Sequence, residues 1–570
     1  MKTQIGSEIV ISNPPQSFIK WCEKNLKVLN SEYYKKKNMG FYTGNISKTI
    51  ALYKVKNNNK QIILPFGLLR RIMPVVNQGE IELFFAKERN FTPPPEEKFA
   101  LFDYQKTAVD ALERAKFGIL ESKAGSGKTR MGLALAARLH CKTLWLTHTK
   151  DLLNQSMKAA SEFFDESGFG TITNGKVNIG STLTFATVQT LAKQDLSALT
   201  YEWDCIIVDE CHRVCGTPEQ LMQFSRVLNS LSCKHKYGLT ATLHRSDGMV
   251  KSVLAYIGPV VHRVPDSAVQ GKNILDVTIQ PIFTNAELTN DCFKTKEEMR
   301  KRTQAQYRRP TASAPIPCDD EKRTPDFLRV TDVLWQDQQR NKLIVETLVK
   351  NQEHYNLILS TRISHLEILL SMLPLELQKR AVLVTGNKQS KKALREREEA
   401  LDSMRAGEKN FLFATYSLAK EGLDIPILDR AYLTIPQTDY SVVIQSAGRI
   451  ARVFPNKTNP ICYDFVDVEK RYLFSSFLEN CLHITYGFAK GNLPSTISLK
   501  DKYSRVAKSY GFIGRFALTR KRMDPNAKDF VCRKKEYLLT KFNTRCEHYV
   551  AYGYPVKGFS KSNPTGNDLK

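Results

Sequence analysis

No stretch of the 570-residue sequence approaches the roughly 20 consecutive apolar residues that a membrane-spanning helix needs. The opening segment, MKTQIGSEIVISNPPQSF, lacks the apolar core of about 7–15 residues that marks a secretory signal, so an intracellular protein is expected. There is no lipidation motif or basic amphipathic anchor, and a membrane partner is not expected. The twelve cysteines include no C-x-x-C pair, which argues against a zinc ribbon or a disulfide framework and for reduced thiols. The nearest approach to a metal-ligand set is Cys205, Cys211, His212 and Cys215. It reads instead as a strand end carrying a nucleotide-site motif. Acidic residues are scarce beside basic ones, 58 against 84, for a net charge of +26. Such an excess on one compact body repels itself, so a polyanionic partner is expected, and nucleic acid fits it best.

What remains is a globular composition, 42% hydrophobic and 25% charged, long enough for three or four domains at about 150 residues each. Residues 1–97 precede any nucleotide signature and end in FTPPPEE, whose adjacent prolines read as a linker. They are expected to form a small N-terminal α+β accessory domain; the Lys35–Lys37 run in it reads as a solvated face. Over 98–287, short β-branched runs (FGILES, KTLWLTH, TLTFATVQ, CIIVDE, KYGLTAT) alternate with helix-like stretches. The same texture returns over 339–488 as NLILST, AVLVTG, NFLFAT, RAYLTI and ICYDFVD. Alternation of this kind predicts parallel sheets covered by helices, hence two successive α/β domains. Residues 288–338 between them read as a basic linker or insert, with net charge +5 over 294–309. Residues 489–570 read as a basic, aromatic-rich extension; from 500 onward there are 17 Lys/Arg against 6 Asp/Glu, with 11 Phe/Tyr interleaved. Two readings stand for it, a nucleic-acid arm and a small packed module that docks a protein.

Strand, glycine-rich turn and helix follow one another directly in FGIL-ESKAGSGKT-RMGLALAARL, which is the context a P-loop requires. Its loop is Ser122, Lys123, Ala124, Gly125, Ser126, Gly127, Lys128 and Thr129. Glycines let main-chain N–H groups turn inward around phosphates, and the helix N-terminus adds its dipole. In this arrangement Lys128 reaches the β- and γ-phosphates and Thr129 holds Mg²⁺. Ser122 stands where the full pattern has its first glycine. Downstream, CIIVDECH ends an apolar strand in two acids. Asp209 is placed to coordinate Mg²⁺, and Glu210 to orient and deprotonate the attacking water.

The order of the remaining motifs resembles the superfamily 2 helicases and translocases over roughly residues 99–486. DYQKTAVDAL carries Gln105, THTKDLLNQ and FATVQTL follow, and then come DECH, LTATLHRSDG, LILSTRISHLEIL, FATYSLAKEGLDIP and QSAGRIAR. Within that superfamily, TATLHRSDG followed by IGPVVHRV resembles the xeroderma-pigmentosum-B, phage UvsW and poxvirus transcript-release branch. Ser246 stands between Arg245 and Asp247 where the xeroderma-pigmentosum-B enzymes have Glu. LPFGLLRRI in the N-terminal region resembles that branch's DNA-recognition module.

The resemblance implies two tandem RecA-like (P-loop NTPase) domains with parallel sheets. It implies ATP and Mg²⁺ as cofactors and Gln105 on the adenine side. Arg449 and Arg452, with Gln445, are implied to act on the γ-phosphate; three residues apart, the two arginines can share one helix face. Gly422 and Asp424 are implied to couple nucleotide to strand, and Thr187, Gln189 and Thr415 to contact nucleic acid. An ATP-dependent DNA helicase or duplex translocase is the leading reading. An RNA helicase, or a transcript-release ATPase acting on RNA polymerase or other replication and transcription proteins, remains open. DECH with TAT argues against the DEAD-type RNA enzymes. No nuclease, methyltransferase or deaminase motif accompanies the motor.

Overall fold

The computed structural model describes residues 2–38, 42–44, 46–58, 60–76, 80–85, 91–243, 249–269, 274–286, 288, 292–294, 324–385, 391–421, 423–469 and 537–556. The chain divides into two compact units, residues 1–274 and 275–570.

In the first unit, the N-terminal module is a five-stranded sheet in the order Lys54–Lys56, Gln61–Pro65, Glu8–Ser12, Lys2–Ile5, Glu80–Leu83. Its pairs are antiparallel except the last, where Lys2–Ile5 and Glu80–Leu83 run parallel. Alternation in Glu8–Ser12 buries Ile9 and Ile11 beneath the helix Gln16–Asn25, whose Phe18 and Cys22 are buried. That core does not stop at the Pro-rich break. It continues into Phe117 and Ala255, which belong to the following α/β fold. Gly67 sits so close to the main chain of Leu254–Gly258 that a Cβ there would lie 2.5 Å from the Gly258 nitrogen. Lys236, fully buried, donates to the Ser7 and Leu228 carbonyls and lies 4.8 Å from the Phe66 ring centroid. Burial pulls its ammonium down to about 8. The linker segment also lies on the α/β fold, with Phe91 N–H donating to His140 O and Phe99 stacked on Phe163 at 4.5 Å.

The first α/β fold has eight strands among the described residues, in the order Lys176–Asn178, Phe169–Thr173, Leu183–Thr187, Thr143–Thr147, Cys205–Asp209, His235–Thr240, Phe117–Glu121, Val260–Arg263. All pairs are parallel except the Asn174-Gly175 hairpin at one edge. TLWLT and CIIVD are buried at every position, as expected of strands covered on both faces.

In the second unit, six parallel strands run in the order Thr278–Ala286, Ile461–Glu469, Arg430–Leu433, Asn356–Ser360, Phe411–Thr415, Ala381–Val384. The α/β class with two RecA-like sheets is therefore as expected. Two features differ from the sequence division. Residues 278–286, assigned to the first α/β domain by their position before the basic stretch, are the edge strand of the second sheet. They are held by Thr284 donating to Asp467 at 2.6 Å and by Asp467 accepting from Arg340 at 2.6 Å. Within the expected linker, Phe327–Gln336 is a helix capped by Asp326.

The C-terminal extension also differs. Tyr537–Tyr552 is a helix packed on the Ile461–Glu469 strand and the Tyr440–Gly448 helix. Phe542, Cys546 and Tyr549 are buried; Arg545 pairs with Asp464 at 2.7 Å, and Tyr549 donates to Asp464 at 2.8 Å. The chain continues to Val556, which bridges Ile279 on the edge strand. This part of the extension is core of the second unit rather than a separable arm. Residues 295–323 and 470–536, which hold most of the basic stretches, lie outside the described residues. No described helix is long and apolar enough to cross a membrane.

Candidate active site

The P-loop leaves the Phe117–Glu121 strand and enters the Lys128–Leu139 helix. Gly125 and Gly127 both hold φ of +83°, a conformation that glycine adopts without a Cβ penalty and that turns successive N–H groups to one side. Ser122 has no such φ, so glycine is not required there. Its hydroxyl instead donates to Ser126 Oγ at 2.6 Å and ties the loop across itself. Lys128 heads the helix and donates to the Lys123 carbonyl at 3.4 Å; Thr129 follows it. Gln105 is buried, and its carboxamide works on main chain: Nε2 donates to Ser126 O at 2.9 Å and Oε1 accepts from Phe102 N–H at 3.0 Å. Tyr104 Oη donates to the same Ser126 carbonyl at 2.9 Å. The sequence alone did not single out Tyr104, although its place beside Gln105 was the available signal.

Asp209 ends the central Cys205–Asp209 strand, and its Oδ1 accepts from Glu210 N–H at 3.0 Å. Burial first, and then the Glu210 carboxylate, push the Asp209 carboxyl up to about 7 against the pull of Lys128. A buried acid beside a lysine, with a threonine next to that lysine in the first turn of the P-loop helix, is a donor set suited to Mg²⁺ carried in on a triphosphate. Glu210 holds φ of +50°, a sparsely populated conformation for a residue with a Cβ and one that recurs at functional sites. His212 Nδ1 lies 3.1 Å from both Glu210 Oε2 and Thr240 Oγ1, so the acids connect to the TAT strand end. Ser122 N–H donates to Thr240 O at 3.0 Å, bringing P-loop, DECH and TAT together. The segment His244–Gly248, with Arg245 and Ser246, lies outside the described residues.

In the second unit, the Tyr440–Gly448 helix buries Gln445 and ends before the arginines. Arg449 and Arg452 therefore do not share a helix face as expected, because the chain turns out of the helix after Gly448. They converge all the same. Arg449 donates to the carbonyls of Ala419 at 2.5 Å and Leu423 at 2.9 Å, and Arg452 pairs with Asp424. Both thus grip the loop after the Tyr416–Glu421 helix, and Arg449 reaches into the helix itself. Gly422 within that loop lies outside the described residues, and Thr415 Oγ1 sits 3.1 Å from Ser417 Oγ.

Of the proposed strand contacts in the first unit, Thr187 ends its strand with its hydroxyl 3.1 Å from Thr190 Oγ1. Gln189 donates to His148 O at 2.7 Å. Cys205 is buried within its strand and Cys211 packs beneath Gly238. Among the described residues, no cluster of three His, Cys, Asp or Glu is placed to hold a metal ion.

Residues 98–245 match the family described as type III restriction enzyme, res subunit, and residues 339–454 match the helicase conserved C-terminal domain. The chain is 25% identical over 367 residues to a protein of Acanthamoeba polyphaga mimivirus provisionally named an ATP-dependent RNA helicase, covering 63% of this chain and 62% of that one. It therefore spans less than two thirds of that relative. It is 26% identical over 382 residues to a DNA 3'-5' translocase, XPB2, of Sulfurisphaera tokodaii, covering 64% of this chain and 81% of the relative. It is 28% identical over 218 residues to the DNA 3'-5' helicase XPB of Kineococcus radiotolerans, covering 37% of each. The two matched modules are those of an ATP-hydrolysing helicase, and over them the chain is similar to the superfamily 2 helicases, the xeroderma-pigmentosum-B enzymes among them.

Proposed function

We propose that the chain is an ATP-driven DNA helicase or duplex translocase. The observation that carries this reading is the meeting of three strand ends, those that lead into the P-loop, the acids Asp209 and Glu210, and Thr240. Lys128 and the loop N–H groups hold the phosphates. Thr129 and Asp209 would hold Mg²⁺, which would supply positive charge to the phosphoryl group being transferred. Glu210 orients the attacking water and takes its proton. Arg452 contributes positive charge to the transition state when it exchanges Asp424 for phosphate. Arg449, tied to one carbonyl of the Tyr416–Glu421 helix and one of the loop after it, holds that loop in register, and Gln445, buried in the Tyr440–Gly448 helix, serves the same site. Gly422 belongs to this loop and to the same coupling role.

Thr187, Gln189 and Thr415 contact the strand through phosphates, so movement does not depend on base sequence. The net +26 favours a polyanion track, and the relatives named DNA translocase and DNA helicase favour DNA. The mimivirus relative's name favours RNA as the second reading. ATP turnover measured in parallel with duplex DNA, single-stranded DNA and RNA separates them. Stimulation by DNA above RNA is the expected result, and no stimulation by any of the three overturns the reading.

A further inference from the structure

Three loops of the first unit meet at His148, a residue with no part in the machinery above. His148 lies between the Thr143–Thr147 strand and Thr149, whose hydroxyl caps the Lys150–Ser161 helix by accepting from Leu152 N–H at 3.3 Å. Its imidazole Nε2 lies 2.9 Å from Arg213 Nη1. A guanidinium can only donate, so Nε2 accepts and the imidazole is neutral with its proton on Nδ1. Its main-chain oxygen accepts from Gln189 Nε2 at 2.7 Å. Arg213 in turn is fixed to the acid loop. The single 3₁₀ turn Cys211–Arg213 begins at Glu210, and Arg213 N–H donates to the Glu210 carbonyl at 3.1 Å. The strands behind the three loops are neighbours in the sheet, in the order Leu183–Thr187, Thr143–Thr147, Cys205–Asp209.

From this arrangement we infer that Arg213 is a positioning residue, which passes strand occupancy through His148 to the conformation of Glu210. The inference rests on the strand-contact role proposed for Thr187 and Gln189. A phosphate seated at those residues pulls on the Gln189 carboxamide and hence on the His148 carbonyl. The imidazole moves with its backbone, and Arg213 follows it. Because one closed turn separates Arg213 from Glu210, and Glu210 already holds a left-handed φ of +50°, a small displacement re-aims the carboxylate. No residue along this path has to touch both ligands; the path has two ends and one turn that both can bias.

The test is nucleic-acid-stimulated ATP turnover of the full chain, read as basal rate, stimulated plateau, and DNA concentration for half-stimulation. Arg213→Ala is expected to leave the basal rate intact and to lower the stimulated plateau about fivefold or more, with the half-stimulation concentration unchanged. Arg213→Lys, which keeps one donor, is expected to recover part of the plateau. His148→Gln, which can accept from Arg213, is expected to keep more of it than His148→Leu. The double variant Arg213→Ala with His148→Leu should lose no more than either single change. A normal plateau in Arg213→Ala overturns the inference. So does a normal plateau reached only at higher DNA concentration, since Arg213 is then a direct strand contact. An equal loss of basal and stimulated rates, with Arg213→Lys no better, also overturns it by placing Arg213 in the chemistry or the fold. Wild-type protein that no nucleic acid stimulates is a different failure, that of the proposed function itself.

Discussion

Glu210 pays for its position with a left-handed backbone, and a residue kept in such a conformation is one whose aim matters. Glu210→Gln keeps the shape and removes the base. Turnover is expected to fall by about 10²–10⁴ while nucleotide binding persists, measured by pre-steady-state turnover beside titration with a fluorescent ATP analogue. Equal loss of binding in Glu210→Gln and Asp209→Asn would show that the two acids do not divide the work. His365 is a second residue whose environment sets its chemistry. It is buried between Ser360 Oγ on Nδ1 and Asn341 Oδ1 on Nε2, each at 3.0 Å. Burial, and then Arg340, press its imidazole down to about 3. The unfolded chain takes this proton near pH 6.5 and the folded chain refuses it. This contribution to stability is therefore complete above pH 6.5 and is lost as pH falls towards 3, by about 1.4 kcal/mol per unit. Urea unfolding between pH 7 and 5 should show that slope in the wild type and a shallower one in His365→Gln; equal slopes would remove His365 from the account.

At the scale of elements, the helix Tyr537–Tyr552 decides more than its composition suggests. Phe542 is wholly buried in it, and Phe542→Ala is expected to cost about 3–5 kcal/mol, read as a lower urea midpoint. Arg545→Ala leaves Asp464 charged and buried and should cost a similar amount, about 3–5 kcal/mol, whereas Lys541, on the same helix, should tolerate substitution better. Little of this is legible in the sequence. Asp464 and Thr438, which Arg545 and His548 meet, lie 81 and 110 residues upstream, and no local pattern announces a partner at that distance. The surrounding excess of Lys and Arg masks the few buried positions. The edge strand Thr278–Ala286 falls on the wrong side of the sequence division for the same reason, since position in the chain gives no hint of which sheet it joins. The P-loop, the DECH strand and the parallel sheets are legible because each is written in adjacent residues. Glycines stand where φ is positive, and apolar runs such as CIIVD stand where both faces are covered. Convergence of Arg449 and Arg452 on one loop is half legible: their spacing hints at it, but the helix end at Gly448 does not show.

For the molecule as a whole, the +26 charge is unevenly spread along the chain. Residues 470–536 carry 15 Lys/Arg against 5 Asp/Glu. Residues 470–536 separate the Ile461–Glu469 strand from the Tyr537–Tyr552 helix that packs on it. Deleting everything beyond residue 500 would therefore remove a core helix along with the charge. Replacing 470–536 by a neutral linker tests the charge alone. Nucleic-acid binding is expected to weaken, and the slope of log K against log salt to flatten by about 0.9 for each duplex phosphate no longer neutralised, measured by fluorescence anisotropy. An unchanged slope would assign the segment to a protein partner. The same return of the chain sets an order of events during synthesis. The first unit is contiguous and is fully made once residue 274 has emerged. The edge strand of the second sheet, made next, waits for Val556 to bridge Ile279 and for Arg545 to cover Asp464. At roughly 5–20 residues per second that wait lasts about 15–55 s. Through that interval a finished motor half is tethered to a sheet whose closing helix does not yet exist, so the nascent second half is where a chaperone would be needed.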